Sequence, residues 1–85
     1  MENKKYITPD IIEVSAMDDY KLYLKFDTNE EKIYDMKKLI NEIKFYKKLK
    51  NIEYFKKVIA RGETIEWPEG EDVSPESLYY ESKSI

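Results

Sequence analysis

The chain has 85 residues, a net charge of −3 at pH 7, and neither cysteine nor histidine. Its length suits a single domain with a small core. The missing residue types exclude disulfides, thiolate metal sites and every catalytic triad or zinc motif that depends on histidine. The chain is therefore predicted not to be an enzyme and to bind no cofactor or metal.

The first third of the chain shows the two-residue period of β-strands. Residues 20–26 alternate apolar with polar or amphipathic side chains, which predicts the clearest strand of the chain and the middle of its sheet. Residues 11–17 alternate as well, and two aspartates separate the two runs, which predicts a hairpin. The predicted apolar face of the first strand consists of Ile12, Val14 and Ala16. A third strand is predicted at residues 31–34, after a turn in which Asn29 takes the left-handed conformation.

Two short helices are predicted in the lysine-rich middle of the chain. Asp35 and Asn51 are suitable N-caps, since their side chains can accept hydrogen bonds from amides of the first helical turn. The apolar stripes consist of Met36, Leu39, Ile40 and Ile43 in the first helix, and of Ile52, Phe55 and Val58 in the second. Phe45 lies outside the first stripe, so that helix is predicted to end near Lys44. We nevertheless expect Phe45, with its large apolar ring, to lie in the core.

The last third predicts two more strands and a helix. Residues 58–60 and 64–67 are the strands, and Pro68 ends the second because it cannot donate to a sheet. Ser74 and Pro75 begin a short C-terminal helix as N-cap and first helical residue, and residues 81–85 are expected to fray. The fold class is α+β: an antiparallel meander sheet of about five strands, two short helices on one face, and a short C-terminal helix. Residues 1–85 form a single domain, with an ordered core over about residues 9–80 and a loose lead-in at residues 1–8.

A spaced run near the C-terminus is the most specific feature of the sequence. Its members are Ile65, Trp67, Pro68, Gly70, Asp72, Val73, Ser74, Pro75, Leu78 and Tyr79. This run resembles the C-terminal signature of domain-of-unknown-function family 2442, a family of small prokaryotic proteins. Residues 19–26 and the Tyr34–Asp35 step before a helix fit the same family, so the resemblance covers nearly the whole chain. One departure is the turn at residues 27–30, where the family usually has glycine and Asn29 stands in.

The resemblance implies a small α+β fold and no known catalytic activity. It also implies a gene that often lies beside another small gene, in a pair resembling a toxin–antitoxin operon. Some relatives carry an appended helix-turn-helix domain, for which this chain has no room. The signature residues are interpreted as structural, because they position the C-terminal segment. They are Trp67, Pro68, Gly70, Asp72, Ser74, Pro75 and Leu78.

Charge is distributed unevenly along the chain. Residues 37–57 contain eight lysines and two acids, whereas residues 63–81 contain seven acids and no base. This layout predicts a basic side and an acidic side. It fits a binding face for nucleic acid or for a basic partner, head-to-tail self-association, or ordinary solvated surface. The basic run contains no arginine, so it lacks the planar fork that suits phosphate.

Several tyrosines fall outside the apolar faces and suit a protein interface, where tyrosine is favoured. The candidate interaction surface consists of Tyr23, Tyr46, Tyr54, Lys44, Lys47 and Lys48. Stacking of nucleic-acid bases on the same rings is the alternative.

Two groups of acids are candidate sites for chemistry. Glu69, Glu71 and Asp72 have side chains that can hold Ca²⁺ or Mg²⁺, but their spacing matches no EF-hand loop. Asp72 is instead expected to brace the turn before the C-terminal helix. Glu66 with Asp72 or Glu76 would make a paired-carboxylate site only if the fold brought them face to face in a cleft.

These observations favour a non-enzymatic protein-interaction module, of which an antitoxin-like partner in a two-gene pair is one form. Its partner would be another protein or a second copy of the chain. The alternative is a nucleic-acid-binding module that uses the lysine-rich 44–57 segment. The sequence contains no apolar run that would form a signal peptide or membrane span, so the chain is expected in the cytoplasm.

Overall fold

Three strands in chain order form the antiparallel meander that the alternation predicts. They are β1 (Ile11–Ala16), β2 (Lys21–Phe26) and β3 (Glu31–Asp35), seen in a computed structural model that describes residues 7–85. Most of the predicted lead-in at residues 1–8 lies outside that range. The hairpin between β1 and β2 closes through a 3₁₀ turn, Asp18–Tyr20, rather than through two aspartates alone. Asn29 has φ 75°, which is the left-handed conformation expected of the residue that replaces glycine.

The apolar face of β1 differs from the prediction because the strand contains a bulge. The register with β2 shifts between Ile11 and Glu13, so one extra residue lies on the β1 side. Ile11 is therefore buried, while Ile12 is exposed. Val14 and Ala16, beyond the bulge, pack against the core as predicted.

The middle of the chain forms three short helical segments. They are α1 (Lys37–Glu42), a 3₁₀ segment (Lys44–Lys50) and α2 (Ile52–Phe55). The Asp35 carboxylate accepts a hydrogen bond of 2.9 Å from the Lys37 amide, although Met36 occupies the cap position. The Asn51 side chain caps α2 as predicted by accepting from the Tyr54 amide.

The remaining strands divide between two sheets. β4 (Ile59–Arg61) and β5 (Thr64–Glu66) form a separate hairpin, which joins β1 through a hydrogen bond from the Ile11 amide to the Gly62 carbonyl. After α3 (Pro75–Tyr80) the chain adds β6 (Lys83–Ser84) beside β3. The main sheet therefore has the order β1-β2-β3-β6, and the frayed tail expected there is instead a short edge strand. The α+β class is confirmed.

The core lies between the main sheet, the middle segments and the C-terminal run. Its fully buried large side chains are Trp67, Phe26, Phe55, Leu22, Leu24, Met36, Leu49, Ile65 and Leu78. The prediction that Phe45 belongs to this core is wrong, since the residue is 57% exposed. The reason is local: the helix ends at Glu42, and the 3₁₀ segment that follows turns Phe45 outward.

Candidate interaction surface

The 3₁₀ segment at residues 44–50 arranges its side chains in three straight edges. A 3₁₀ helix has three residues per turn, so residues i and i+3 eclipse one another, whereas an α-helix would stagger them. The segment follows a break at Ile43, whose φ and ψ of −115° and 119° are extended. The hydrogen bond from the Tyr46 amide to the Ile43 carbonyl, 3.0 Å long, has the i+3 spacing of this geometry.

The inner edge consists of Tyr46 and Leu49 and fixes the segment to the core. Leu49 is fully buried, and Tyr46 packs against the core cluster. With these two residues facing inward, the other two edges of the segment face solvent. Sequence spacing alone therefore decides which side chains share each outer edge.

The second edge consists of Lys44, Lys47 and Lys50, which we name the lysine ridge. All three residues are exposed, and all three line both of the grooves that flank the ridge. At about 2.0 Å rise per residue, successive ridge positions are about 6 Å apart along the axis. The ridge is thus a short straight row of like charges.

The third edge places Phe45 and Lys48 beside the ridge. Phe45 is 57% exposed and lines a shallow, open groove of about 630 Å³, whose surface is mostly apolar. On the other side of the ridge, a second groove of about 390 Å³ is lined in part by Ile40 and Ile43. The surface therefore combines a basic row with apolar flanks.

Two tyrosines fasten this segment and α2 to the acidic loop at residues 69–72. The Tyr46 hydroxyl donates to the Asp72 carbonyl at 2.8 Å. The Tyr54 hydroxyl donates to the Glu71 carboxylate at 2.6 Å and accepts from the Glu69 amide at 2.9 Å. Glu71 is a buried residue, with only 8% of its surface exposed.

The electrostatics of the two tyrosines follow from these contacts. Partial burial raises the pKa of Tyr46 above its ordinary value of 10.0, and the nearby Asp72 carboxylate adds to that effect. Desolvation likewise raises the pKa of Tyr54, followed by its hydrogen bond to Glu71. Both hydroxyls therefore keep their protons and act as hydrogen-bond donors at neutral pH.

The basic and acidic segments are adjacent in the fold. Lys48 forms an ion pair with Glu69, and the Glu71 residue lines the Phe45 groove. The prediction that the molecule has a basic side and a separate acidic side is therefore wrong at this point. The lysine ridge stands next to the acidic loop, and Lys48 is partly neutralised by it.

The structure does not bring all the candidate residues together. Lys44, Lys47, Lys48, Tyr46 and Tyr54 lie around the 3₁₀ segment. Tyr23 lies on β2 with its side chain on the face opposite the buried Leu22 and Leu24, because strand residues alternate.

The sheet face that carries Tyr23 has paired charges. Cross-strand neighbours place Lys25 between Glu13 and Glu31, and Lys21 opposite Asp35. Opposite charges in facing positions compensate one another. This face thus lacks the uncompensated charge of the ridge.

The signature residues have structural positions. The Trp67 indole is 1% exposed and donates from Nε1 to the Phe55 carbonyl at 2.8 Å. Gly70 has φ 102° in the turn that returns the chain to Trp67. Ser74 caps α3 by accepting from the Ser77 amide, and Leu78 is fully buried. Pro68 and Asp72 are exposed beside this turn, and Pro75 is the first residue of α3.

The acidic residues considered as sites for chemistry have the following positions in the fold. Glu66 and Asp72 form an isolated β-bridge, but Glu66 pairs with Arg61 at 3.2 Å. Within residues 7–85, no cluster of three or more acidic, cysteine or histidine side chains is arranged to hold a metal ion. None of the helices in that range has the length and apolarity that crossing a membrane requires.

Sequence reasoning missed the apolar half of the surface, Ile43 and Phe45. A signal for it was available: Phe45 falls outside the helical stripe, while lysines recur at 44, 47 and 50 with a period of three. A period of three along a polar edge fits the eclipsed i and i+3 positions of a 3₁₀ segment. The buried position of Glu71 had no such signal.

Comparison with known proteins gives a family match over nearly the whole chain. The model of a protein family described as a protein of unknown function, DUF2442, matches residues 11–84. No curated protein and no solved structure gives a match. The family match includes every strand of the main sheet, the 3₁₀ segment and the C-terminal run. Since it spans nearly the full length, the chain belongs to the DUF2442 family.

Proposed function

We propose that this protein is a non-enzymatic interaction module that binds a protein partner through the surface around the 3₁₀ segment. The observation that carries the proposal is Phe45, a large aromatic side chain that is 57% exposed beside a row of lysines. Exposed aromatic residues flanked by charge are typical of binding surfaces, where they supply the desolvated centre of the contact.

The backing of this surface also supports an interaction role. Leu49 fixes the 3₁₀ segment to the core, where its side chain is fully buried. The hydroxyls of Tyr46 and Tyr54 bond the 3₁₀ segment and α2 to the acidic loop. A surface that is fixed in this way loses little conformational entropy on binding. An antitoxin-like role in a two-gene pair is one form of the proposed function, with the partner encoded by the neighbouring gene.

A nucleic-acid partner is less well supported by the charges. Glu71 and Glu42 line the two grooves that flank the ridge, and Lys48 is already paired with Glu69. A nucleic-acid backbone carries a phosphate at every nucleotide, so some phosphates would lie against these carboxylates, whereas a protein segment can place apolar side chains there. Lys57 lines a different depression beside Trp67, so the lysines of the 44–57 segment do not form one continuous stripe.

The test first captures a partner and then compares two variants, each of which lacks one exposed apolar side chain. To capture the partner, the tagged protein would be purified from its own host at about 50 and 500 mM salt, which give weak and strong screening of charges. Any stoichiometric protein would then be produced separately and titrated by calorimetry. Phe45→Ala is expected to weaken binding about tenfold or more. Ile59→Ala is the matched control, because Ile59 is 55% exposed but lies on β4.

The proposal is overturned if no stoichiometric protein is captured, or if the captured protein binds Phe45→Ala as well as it binds the wild type. Nucleic acid that is retained at low salt and lost at high salt would instead support the alternative, a nucleic-acid-binding module.

A further inference from the structure

We infer that the lysine ridge accepts an acidic amphipathic helix whose carboxylates repeat at positions i, i+4 and i+8. This inference rests on the proposed function and specifies the partner segment that the surface would bind. It follows from three properties of the surface: the spacing of the ridge, the grooves on both sides of it, and the sign of its charge.

The spacing of the ridge matches one row of an α-helix. Lys44, Lys47 and Lys50 are about 6 Å apart along the 3₁₀ axis, at about 2.0 Å rise per residue. Carboxylates four residues apart on an α-helix are also about 6 Å apart, at about 1.5 Å per residue. Three carboxylates on one such row would each meet one ammonium group.

The grooves distinguish a helix from an extended segment. One groove is lined by Phe45 and the other by Ile40 and Ile43, so apolar surface lies on both sides of the ridge. Each face of an extended strand is one side chain wide, since successive residues point in opposite directions. A helix instead presents residues on both sides of any row. Only a helix would place acids on the ridge and apolar side chains in both grooves together.

The charges of the surface favour an acidic occupant. The Phe45 groove is lined by one acid, Glu71, and by four lysines: Lys44, Lys47, Lys48 and Lys50. The opposite groove is lined by one acid, Glu42, and by the three ridge lysines. Glu71 receives the Tyr54 hydroxyl, and Lys48 pairs with Glu69 outside the ridge. The three ridge lysines thus supply the uncompensated positive charge that an acidic helix would neutralise.

The experiment uses two alanine-based helical peptides of identical composition, labelled for fluorescence anisotropy. The first carries glutamates at i, i+4 and i+8, and leucines at i+1 and i+7. At about 100° per residue these leucines lie about 60° to either side of the central glutamate. The second carries the glutamates at i, i+2 and i+5, which spreads them around the helix. A twelve-nucleotide oligo-dT is the third probe.

The first peptide is expected to bind about tenfold or more tightly than the second at about 50 mM salt, with the difference shrinking at higher salt. Lys47→Glu is expected to remove that preference. Lys38→Glu is the matched control and should leave it intact, because Lys38 is exposed on α1 and lies outside both grooves. Circular dichroism would establish that both variants remain folded.

The inference is overturned if the two peptides bind equally, if neither binds at up to about 1 mM, a weak affinity for a specific site, or if Lys38→Glu has the same effect as Lys47→Glu. Tighter binding of oligo-dT than of the first peptide would also overturn it and assign the ridge to nucleic acid. A native partner that depends on Phe45 but shows no preference for the spaced acids would leave the proposed function standing. The two proposals can therefore fail separately.

Discussion

Two regions in direct contact, the C-terminal run at residues 65–79 and the 3₁₀ segment at residues 44–50, place their side chains in opposite ways. The run carries the residues that resemble the family signature, and its large side chains lie inside the molecule: Trp67 and Leu78 are buried, and Gly70 supplies a turn. The 3₁₀ segment turns its ridge and Phe45 toward solvent. The residues that resemble the family signature therefore build the scaffold, and the exposed residues of the 3₁₀ segment lie beside them.

The largest expected effect tests the structural half of this comparison. Trp67→Ala would remove a fully buried ring that stacks on Phe55 at a centroid distance of 5.9 Å. Deleting such a side chain costs about 3–5 kcal/mol, against a total stability of about 5 kcal/mol for a domain of this size. We expect the variant to be largely unfolded in far-UV circular dichroism at 25 °C.

The control for this variant is Trp67→Phe, which keeps an apolar ring but loses the hydrogen bond from Nε1 to the Phe55 carbonyl. It should remain folded, with a smaller loss of stability in urea titrations. Trp67 is the only tryptophan of the chain, so circular dichroism rather than fluorescence must follow both variants. A fully stable Trp67→Ala protein would contradict the structural role of the signature.

An intermediate effect is expected where the two regions are joined. Tyr54→Phe removes the hydroxyl that bonds both Glu71 and the Glu69 amide, and so leaves the carboxylate of a buried residue without that donor. Such a loss costs about 1–3 kcal/mol, measured as the free energy of unfolding in urea. Tyr80→Phe is the control, since Tyr80 is exposed and its hydroxyl donates to the Ile7 carbonyl at the longer distance of 3.2 Å.

The stability of Tyr54→Phe relative to the wild type is also expected to change at alkaline pH. The pKa of Tyr54 is raised in the fold, first by desolvation and then by Glu71. Its contribution to stability is therefore fully present below the unfolded pKa, about 10, and is lost as the pH rises through the folded pKa above that value. We expect the stability difference between wild type and Tyr54→Phe to shrink above pH 10. A stability difference that stays constant above pH 10 would show that ionisation of the Tyr54 hydroxyl is not coupled to unfolding.

The sequence was a better guide to the scaffold than to the surface. Strict alternation predicted β2, and the cap residue Asn51 and the turn residue Asn29 behave as their chemistry requires. The bulge that buries Ile11 and the pairing of β6 depend on contacts distant in sequence, which no local pattern encodes. Phe45 was misplaced because a large apolar residue is usually buried, whereas the break at Ile43 turns it outward.

The smallest expected effect separates charge that serves the fold from charge that is free to bind. On the ridge, Lys47 stands between Lys44 and Lys50, and like charges at this spacing repel one another by about 0.2–0.5 kcal/mol. Lys47→Ala is therefore expected to raise the free energy of unfolding by about that amount at low salt, and by less at high salt. Lys25, between Glu13 and Glu31 on the sheet face, is the matched case, and Lys25→Ala should lower it by about 0.2–1 kcal/mol. Changes of opposite sign in the free energy of unfolding would mean that the ridge lysines slightly destabilise the fold, as expected of a surface that binds an acidic partner. The same sign for both would place the ridge among ordinary solvated lysines.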